Sequence, residues 1–177
     1  MSRRLAEGFK GAPGSTPRKP VAAVVGLGSN LGDRAEMLRA AVTDLARLPL
    51  VDEVRVADVV ESVALKPDGP DAGAPPYLNT VALVTTRLAP SVLLTYLHAI
   101  EALHGRERTE RWGDRTLDLD LIAYGDARTD TVALQLPHPR AAERDFVLAP
   151  WLVLDPDAEL PGVGRVDELL RRLRAAS

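Results

Sequence analysis

Residues 111–124 read Arg-Trp-Gly-Asp-Arg-Thr-Leu-Asp-Leu-Asp-Leu-Ile-Ala-Tyr. From Thr116 to Tyr124 the stretch alternates sharply, as a half-buried strand does. Side chains two apart on a strand share a face. Leu117, Leu119 and Leu121 therefore face a core, while Asp118 and Asp120 project together on the opposite side. Upstream, Gly105–Arg115 is charged and irregular. Before it, Pro90 suits the first turn of a helix that runs to about Leu103. Tyr77–Thr86 predicts a strand, and Val51–Val63, with looser alternation, predicts another. Between them Lys66–Pro76 is loop by composition.

Nearer the N-terminus, Val21–Val25 is a short β-branched run that stops at the glycine-rich turn Gly26-Leu27-Gly28-Ser29-Asn30-Leu31-Gly32. Asp33 and Glu36 have the spacing of a capping box. Leu38, Ala41, Val42 and Leu45 then recur at helical spacing, and Pro49 ends that segment. Downstream of Tyr124 come a turn at Gly125-Asp126 and a short strand. A loop around Pro137–Arg140, a helix near Ala142–Pro150 and a last helix at Val166–Ala175 follow. The order is β-α-β-β-α-β plus a C-terminal extension. That is the α+β, ferredoxin-like pattern: an antiparallel sheet with both helices on one face. Residues 21–177 form one domain on this reading, and residues 1–20, mixing Gly, Pro, Ser and basic residues without period, form a flexible tail.

The chain has 177 residues, 46% of them hydrophobic, enough for one domain with a proper core. Its net charge of −3 is unlike that of a general nucleic-acid binder. The absence of cysteine excludes a disulfide scaffold and thiolate metal sites. No apolar run reaches the roughly 20 residues needed to span a bilayer, and no apolar segment follows the N-terminal arginines. A soluble, cytoplasmic protein is the expectation. Of 22 basic residues only Lys10, Lys19 and Lys66 are lysine, and none follows a glycine, so a GxxxxGK[ST] phosphate loop is impossible. Phosphates would have to meet arginine forks, a metal or backbone amides.

Asp118 and Asp120 repel each other unless something neutralises them. Magnesium suits an all-oxygen site with few protein ligands. Equally, the pair fits the polar face of an edge strand, salt-bridged to Arg111 or Arg115. Arg106, Arg108, Arg111 and Arg115 crowd the preceding loop, an arrangement that a metal–triphosphate complex needs. Gly26-Leu27-Gly28 after a strand resembles part of a dinucleotide fingerprint, but Leu31 stands where its third small residue belongs. His98, His104 and His138 have no zinc spacing; the first two read as surface or capping residues. His138, between two prolines, is held rigidly and is placed to meet a ligand. A ferredoxin-like sheet can also bind RNA through aromatic strand residues, which the predicted strands and the net charge do not favour. A catalytically silent assembly partner is the other alternative, against which the intact Asp/Arg set argues.

Four blocks stand in order along the chain: GLGSNLGD, PPYLN at Pro75–Asn79, GRERTERWGDRTLDLDLI, and LPHPRAAERDFVLAP. Together they resemble the 6-hydroxymethyl-7,8-dihydropterin pyrophosphokinase family from about Val21 to about Asp155. The resemblance implies transfer of the β,γ-diphosphate of ATP to the pterin hydroxymethyl group, a step of folate biosynthesis. It implies Asp118 and Asp120 as ligands of two magnesium ions, and Arg106 and Arg115 as the catalytic arginines at the triphosphate. Glu101, Arg108, Trp112, Leu121, His138 and Arg144 fall at its ATP positions. Tyr77 and Phe146 match the pair that sandwiches the pterin, Asn79 hydrogen-bonds it, Ser62 and Leu65 lie beside it, and Trp112 closes over it. Gly28, Ser29 and Asn30 match a signature turn near that pocket. The implied partners are ATP and the pterin, with no nucleic acid, no membrane and a monomeric chain. The physics concurs, since a flat heterocycle needs aromatic faces and a few directional partners. One departure stands out: Val60–Leu65 lacks the family's usual proline, and Ser62 takes the place of its threonine. Altered presentation of the pterin is expected there, not a different reaction.

Overall fold

Strand β1 (Val21–Ser29) lies inside the sheet and is paired antiparallel on both sides in the computed structural model, which describes residues 19–66, 69–71, 73–105 and 117–176. In chain order there follow α1 (Arg34–Ala46), β2 (Val51–Val56), β3 (Val60–Ser62), β4 (Ala64–Lys66), β5 (Gly69–Asp71), β6 (Tyr77–Thr86), α2 (Pro90–Leu103) and β7 (Asp118–Tyr124). The remainder comprises β8 (Thr129–Asp130), β9 (Gln135–Leu136), a 3-10 turn at Ala141–Glu143, α3 (Asp145–Leu154), β10 (Glu159–Leu160), β11 (Gly164–Arg165) and α4 (Val166–Ala175). The main sheet runs β2-β6-β1-β7, with β3 also paired to β6, and each of these pairings is antiparallel. This is the ferredoxin-like α+β arrangement expected from the element order.

The two faces of the sheet carry separate cores. Ala23, Val25 and Leu27 of β1 pack with Leu38, Ala41 and Leu45 of α1 and with Leu93, Leu97 and Ile100 of α2. On the other face Val24, Val81 and Ile122 pack with Val147, Leu148 and Trp151 of α3 and with Val166 and Leu170 of α4. Burial of each such leucine or valine contributes about 1.5–3 kcal/mol. Both early helices thus share one face, as predicted, and the C-terminal extension covers the opposite one. A register shift between Val24 and Val25 against β7 lets Ile122 and Ala123 both join the second core.

Several elements differ from their sequence-based expectations. Strand β1 runs on through Gly26 and Gly28 to Ser29, so those glycines are strand residues and not part of a turn. The stretch 51–63 splits into two strands. At the break the Ala57 amide donates to the Val81 carbonyl, and the Ala57 carbonyl accepts from Thr80 Oγ1 at 2.7 Å. The 66–76 segment contributes to a small β4–β5 hairpin. Helix α3 does not stop at Pro150 but continues to Leu154. A mid-helix proline costs about 3 kcal/mol, which the burial of Val147, Leu148 and Trp151 offsets. Asp33 Oδ1 accepts from the Glu36 amide at 3.0 Å, but the Glu36 carboxylate turns to Arg39 and leaves the capping box half made. The tail assigned to residues 1–20 lies almost wholly outside the described residues. Among those described, no helix is long and apolar enough to cross a membrane.

Candidate active site

Two glycines form the floor of a pocket on the α3/α4 side of the sheet. Gly26 stands opposite Asp120, and Gly28 stands between Asp118 on one neighbour and Asn79 on the other. A Cβ on Gly26 would meet Ile122 Cδ1 at 3.4 Å. One on Gly28 would meet Asn79 Oδ1 at 3.0 Å and Tyr77 Cδ1 at 3.5 Å. Strand glycines of this kind mark a close approach to the backbone. The missing side chains leave space between a charged wall and a neutral one.

The charged wall is built on β7 and on the segment leading into α3. Asp118 and Asp120 both line the pocket, as their two-residue spacing requires. Arg144, just before the first turn of α3, donates from Nη1 to Asp120 Oδ2 at 2.6 Å. Its guanidinium also lies 6.0 Å from the centroid of the Phe146 ring. His138 is fixed by its backbone: its amide donates to the Ile122 carbonyl, and its Nδ1 accepts from the Arg140 amide at 3.2 Å. In the neutral ring the proton therefore sits on Nε2, which lies 3.9 Å from Asp120 Oδ2. Burial pushes the His138 pKa below the ordinary histidine value, outweighing the opposite pull of Asp120.

The neutral wall is built on β3 and β6. Ser62 pairs with Tyr77 across these strands, and Val60 with Asn79. Asn79 Nδ2 donates to Ser62 Oγ at 2.7 Å, so the hydroxyl at this position is an acceptor that fixes the amide. Ser62, Tyr77, Asn79 and Phe146 all line the pocket. Ser29 and Asn30 are buried behind it, and Asn30 Nδ2 lies 3.5 Å from the Pro75 carbonyl, just ahead of Tyr77.

Not every predicted site residue meets in this pocket. Glu101 is buried on α2, where its Oε1 accepts from the Leu119 amide at 2.7 Å, between the two aspartates. Leu121 points into the α1/α2 core, with Leu119. His104 ends α2 and meets Asp44 of α1 at 2.8 Å, a linking role in keeping with a capping residue. Arg106, Arg108, Trp112 and Arg115 lie outside the described residues, as does the side chain of Leu65. Gly26 and Arg140 line the pocket and were not singled out from the sequence. The i, i+2 spacing of Gly26 and Gly28 within a strand was the available signal for the first. For Arg140 it was a cation in the same rigid turn as His138.

Two carboxylates on one face suit a hard cation that takes its other ligands from water and phosphate oxygens. Among the described residues no group of three or more His, Cys, Asp or Glu could hold a metal by itself. Asp118 and Asp120 alone would leave most of such a cation's coordination to other oxygens.

Residues 24–156 match the family described as 7,8-dihydro-6-hydroxymethylpterin-pyrophosphokinase. A Synechocystis protein named 2-amino-4-hydroxy-6-hydroxymethyldihydropteridine pyrophosphokinase is 39% identical over 154 residues, covering 87% of this chain and 76% of its own length. The Pseudomonas aeruginosa protein of the same name is 43% identical over 146 residues, covering 82% of this chain and 88% of its own. Among solved structures, wild-type Plasmodium falciparum HPPK-DHPS with pteroate superposes with a TM-score of 0.67 at 11% identity, over 87% of this chain. An HPPK-DHPS in complex with substrates gives 0.67 at 10% identity, over 89% of this chain. At such identities the likeness is one of fold, and the superposition spans 44% of each of those longer chains.

Proposed function

We propose a division of labour for the pocket from one premise: this chain belongs to the 7,8-dihydro-6-hydroxymethylpterin-pyrophosphokinase family. Its reaction transfers the β,γ-diphosphate of ATP to 6-hydroxymethyl-7,8-dihydropterin, a step of folate biosynthesis. The observation that carries the site assignment is the meeting of a neutral aromatic wall and an acid–base wall over a floor without side chains.

The pterin lies between Tyr77 and Phe146, with the Asn79 amide, held by Ser62, reading its edge. Aromatic faces and one oriented amide are what a flat polar heterocycle requires. The triphosphate lies against Arg144, with His138 beside it. His138 offers Nε2 as a donor on that side, since its Nδ1 already accepts from the Arg140 amide. Asp118 and Asp120 would hold magnesium, two ions with ATP bound, which supplies charge neutralisation at the transferring phosphates. Arg106 and Arg115 steady the developing charge, and Arg108 and Trp112 complete the ATP side; these four follow from the family resemblance. Glu101 serves the same side through strand β7.

The hydroxymethyl oxygen attacks the β-phosphorus in line. The bond from that phosphorus to the oxygen bridging the α- and β-phosphates breaks, AMP departs with the bridging electrons, and the hydroxyl proton is released. Holding both substrates in this alignment is worth up to about 7–11 kcal/mol of barrier, so positioning carries the step. The chain acts as a monomer on this reading. The test is Asp118→Ala. AMP formation with magnesium, ATP and the pterin is abolished while the fold is kept; near-normal turnover removes Asp118 from the site. Arg115→Ala lowers turnover strongly, and an unchanged rate removes that arginine.

A further inference from the structure

The neutral wall is gripped from behind. Its pocket face carries Ser62, Tyr77 and Asn79, and its reverse face carries Glu61 and Leu78, which are register partners. Strand β3 is only three residues long, and Tyr77 is preceded by Pro75 and Pro76. Prolines have no amide hydrogen, so only carbonyls are left as handles on that segment. Arg34, the first residue of α1, takes hold of them. Its Nη1 donates to the Pro76 carbonyl at 2.6 Å and lies 3.4 Å from Glu61 Oε2. One guanidinium thus joins both chain segments that form the neutral wall, from the side away from the pocket. The Arg34 side chain is 28% exposed, which leaves it partly shielded from water.

We infer that Arg34 is a positioning residue for the pterin: it fixes the spacing of Tyr77 and Ser62 by bridging the Pro76 carbonyl and Glu61. The inference deepens the proposed reading of the neutral wall and rests on it. Arg34 touches neither substrate. It acts on pterin recognition alone, because the charged wall lies on β7, on the far side of β1. The charge-assisted hydrogen bond to the Pro76 carbonyl is the strong part of the grip. The exposed ion pair to Glu61 is the weak part.

The test uses the full chain with Arg34→Met, Arg34→Lys and Glu61→Gln. Arg34→Met raises the KM for the pterin about tenfold, the scale of one lost charge-assisted hydrogen bond. It leaves the KM for ATP and kcat within about twofold, the pattern of lost ground-state binding. Arg34→Lys recovers most of the loss, since an ammonium reaches one carbonyl. Glu61→Gln gives about a twofold rise, as an exposed pair should. Amide hydrogen exchange at Tyr77 and Leu78, measured without substrates, speeds up in Arg34→Met. An unchanged exchange rate overturns the clamp, as does a parallel rise in both KM values or a lysine that restores nothing. Faster exchange in a chain whose wild type releases no AMP with the pterin upholds the clamp and counts against the proposed reaction.

Discussion

One strand presents two unlike faces. Towards α1 and α2, β1 offers Ala23, Val25 and Leu27, all buried in a continuous core. Towards α3 and α4 it offers Val24 and then Gly26 and Gly28. The first face is closed by side chains at each step. The second begins as core and then opens, because two successive inward positions carry no side chain. The contrast teaches that this pocket is made by omission on an otherwise ordinary strand. Stability and function are consequently separable by face: substitutions on one should cost folding energy, and those on the other should cost binding or turnover.

The largest expected effect breaks the charged wall. Asp120→Asn keeps the shape and removes a charge that Arg144 and the proposed magnesium share. Metal-assisted stabilisation is worth several kcal/mol, so steady-state AMP release should fall by about a thousandfold. A normal melting temperature alongside that loss supports the separation of faces. Next comes Leu97→Ala on the closed face, where Leu97 is fully buried. Denaturant unfolding should show a loss of about 2–5 kcal/mol, with both KM values near wild type. A large change in KM at 25 °C would show that the two faces are coupled.

The smaller effects separate the two glycines. Gly28→Ala sets a methyl group 3.0 Å from Asn79 Oδ1, whose amide is already held by Ser62. The amide must shift, and the pterin KM should rise about tenfold, the cost of one misplaced hydrogen bond. Gly26→Ala meets Ile122 at 3.4 Å and Asp120 Cβ at 4.0 Å, both ordinary contacts. Its effect on either KM should stay within about threefold, well under one hydrogen bond. Equal effects at the two positions, measured by initial rates, would contradict the assignment of Gly28 to the pterin side.

Much of this was legible beforehand where periodicity is short and unambiguous. A period of two put Asp118 and Asp120 on one face, and the PPYLN and LPHPR blocks singled out Tyr77, Asn79, Arg144 and Phe146, which line the pocket, and His138, which lies 3.9 Å from Asp120. The floor was only half legible: the resemblance put Gly28 near the pocket, but glycines after an apolar run read as a turn. Only their pairing with Asn79, Asp118 and Asp120 shows them to be strand. Covering of the second face by α3 was hidden by Pro150, a residue that usually ends a helix and here sits inside one. Arg140 was passed over because it reaches the pocket lining only through the turn set by the His138 backbone. The grip of Arg34 on Pro76 spans 42 positions and has no local signature.

The most direct measurement is the phosphorus NMR spectrum of products from wild-type chain, ATP and 6-hydroxymethyl-7,8-dihydropterin, with and without magnesium. The account predicts AMP and pterin diphosphate in equal amounts, formed only when both pterin and magnesium are present. ADP with a pterin monophosphate, or AMP released at the same rate without the pterin, would contradict it.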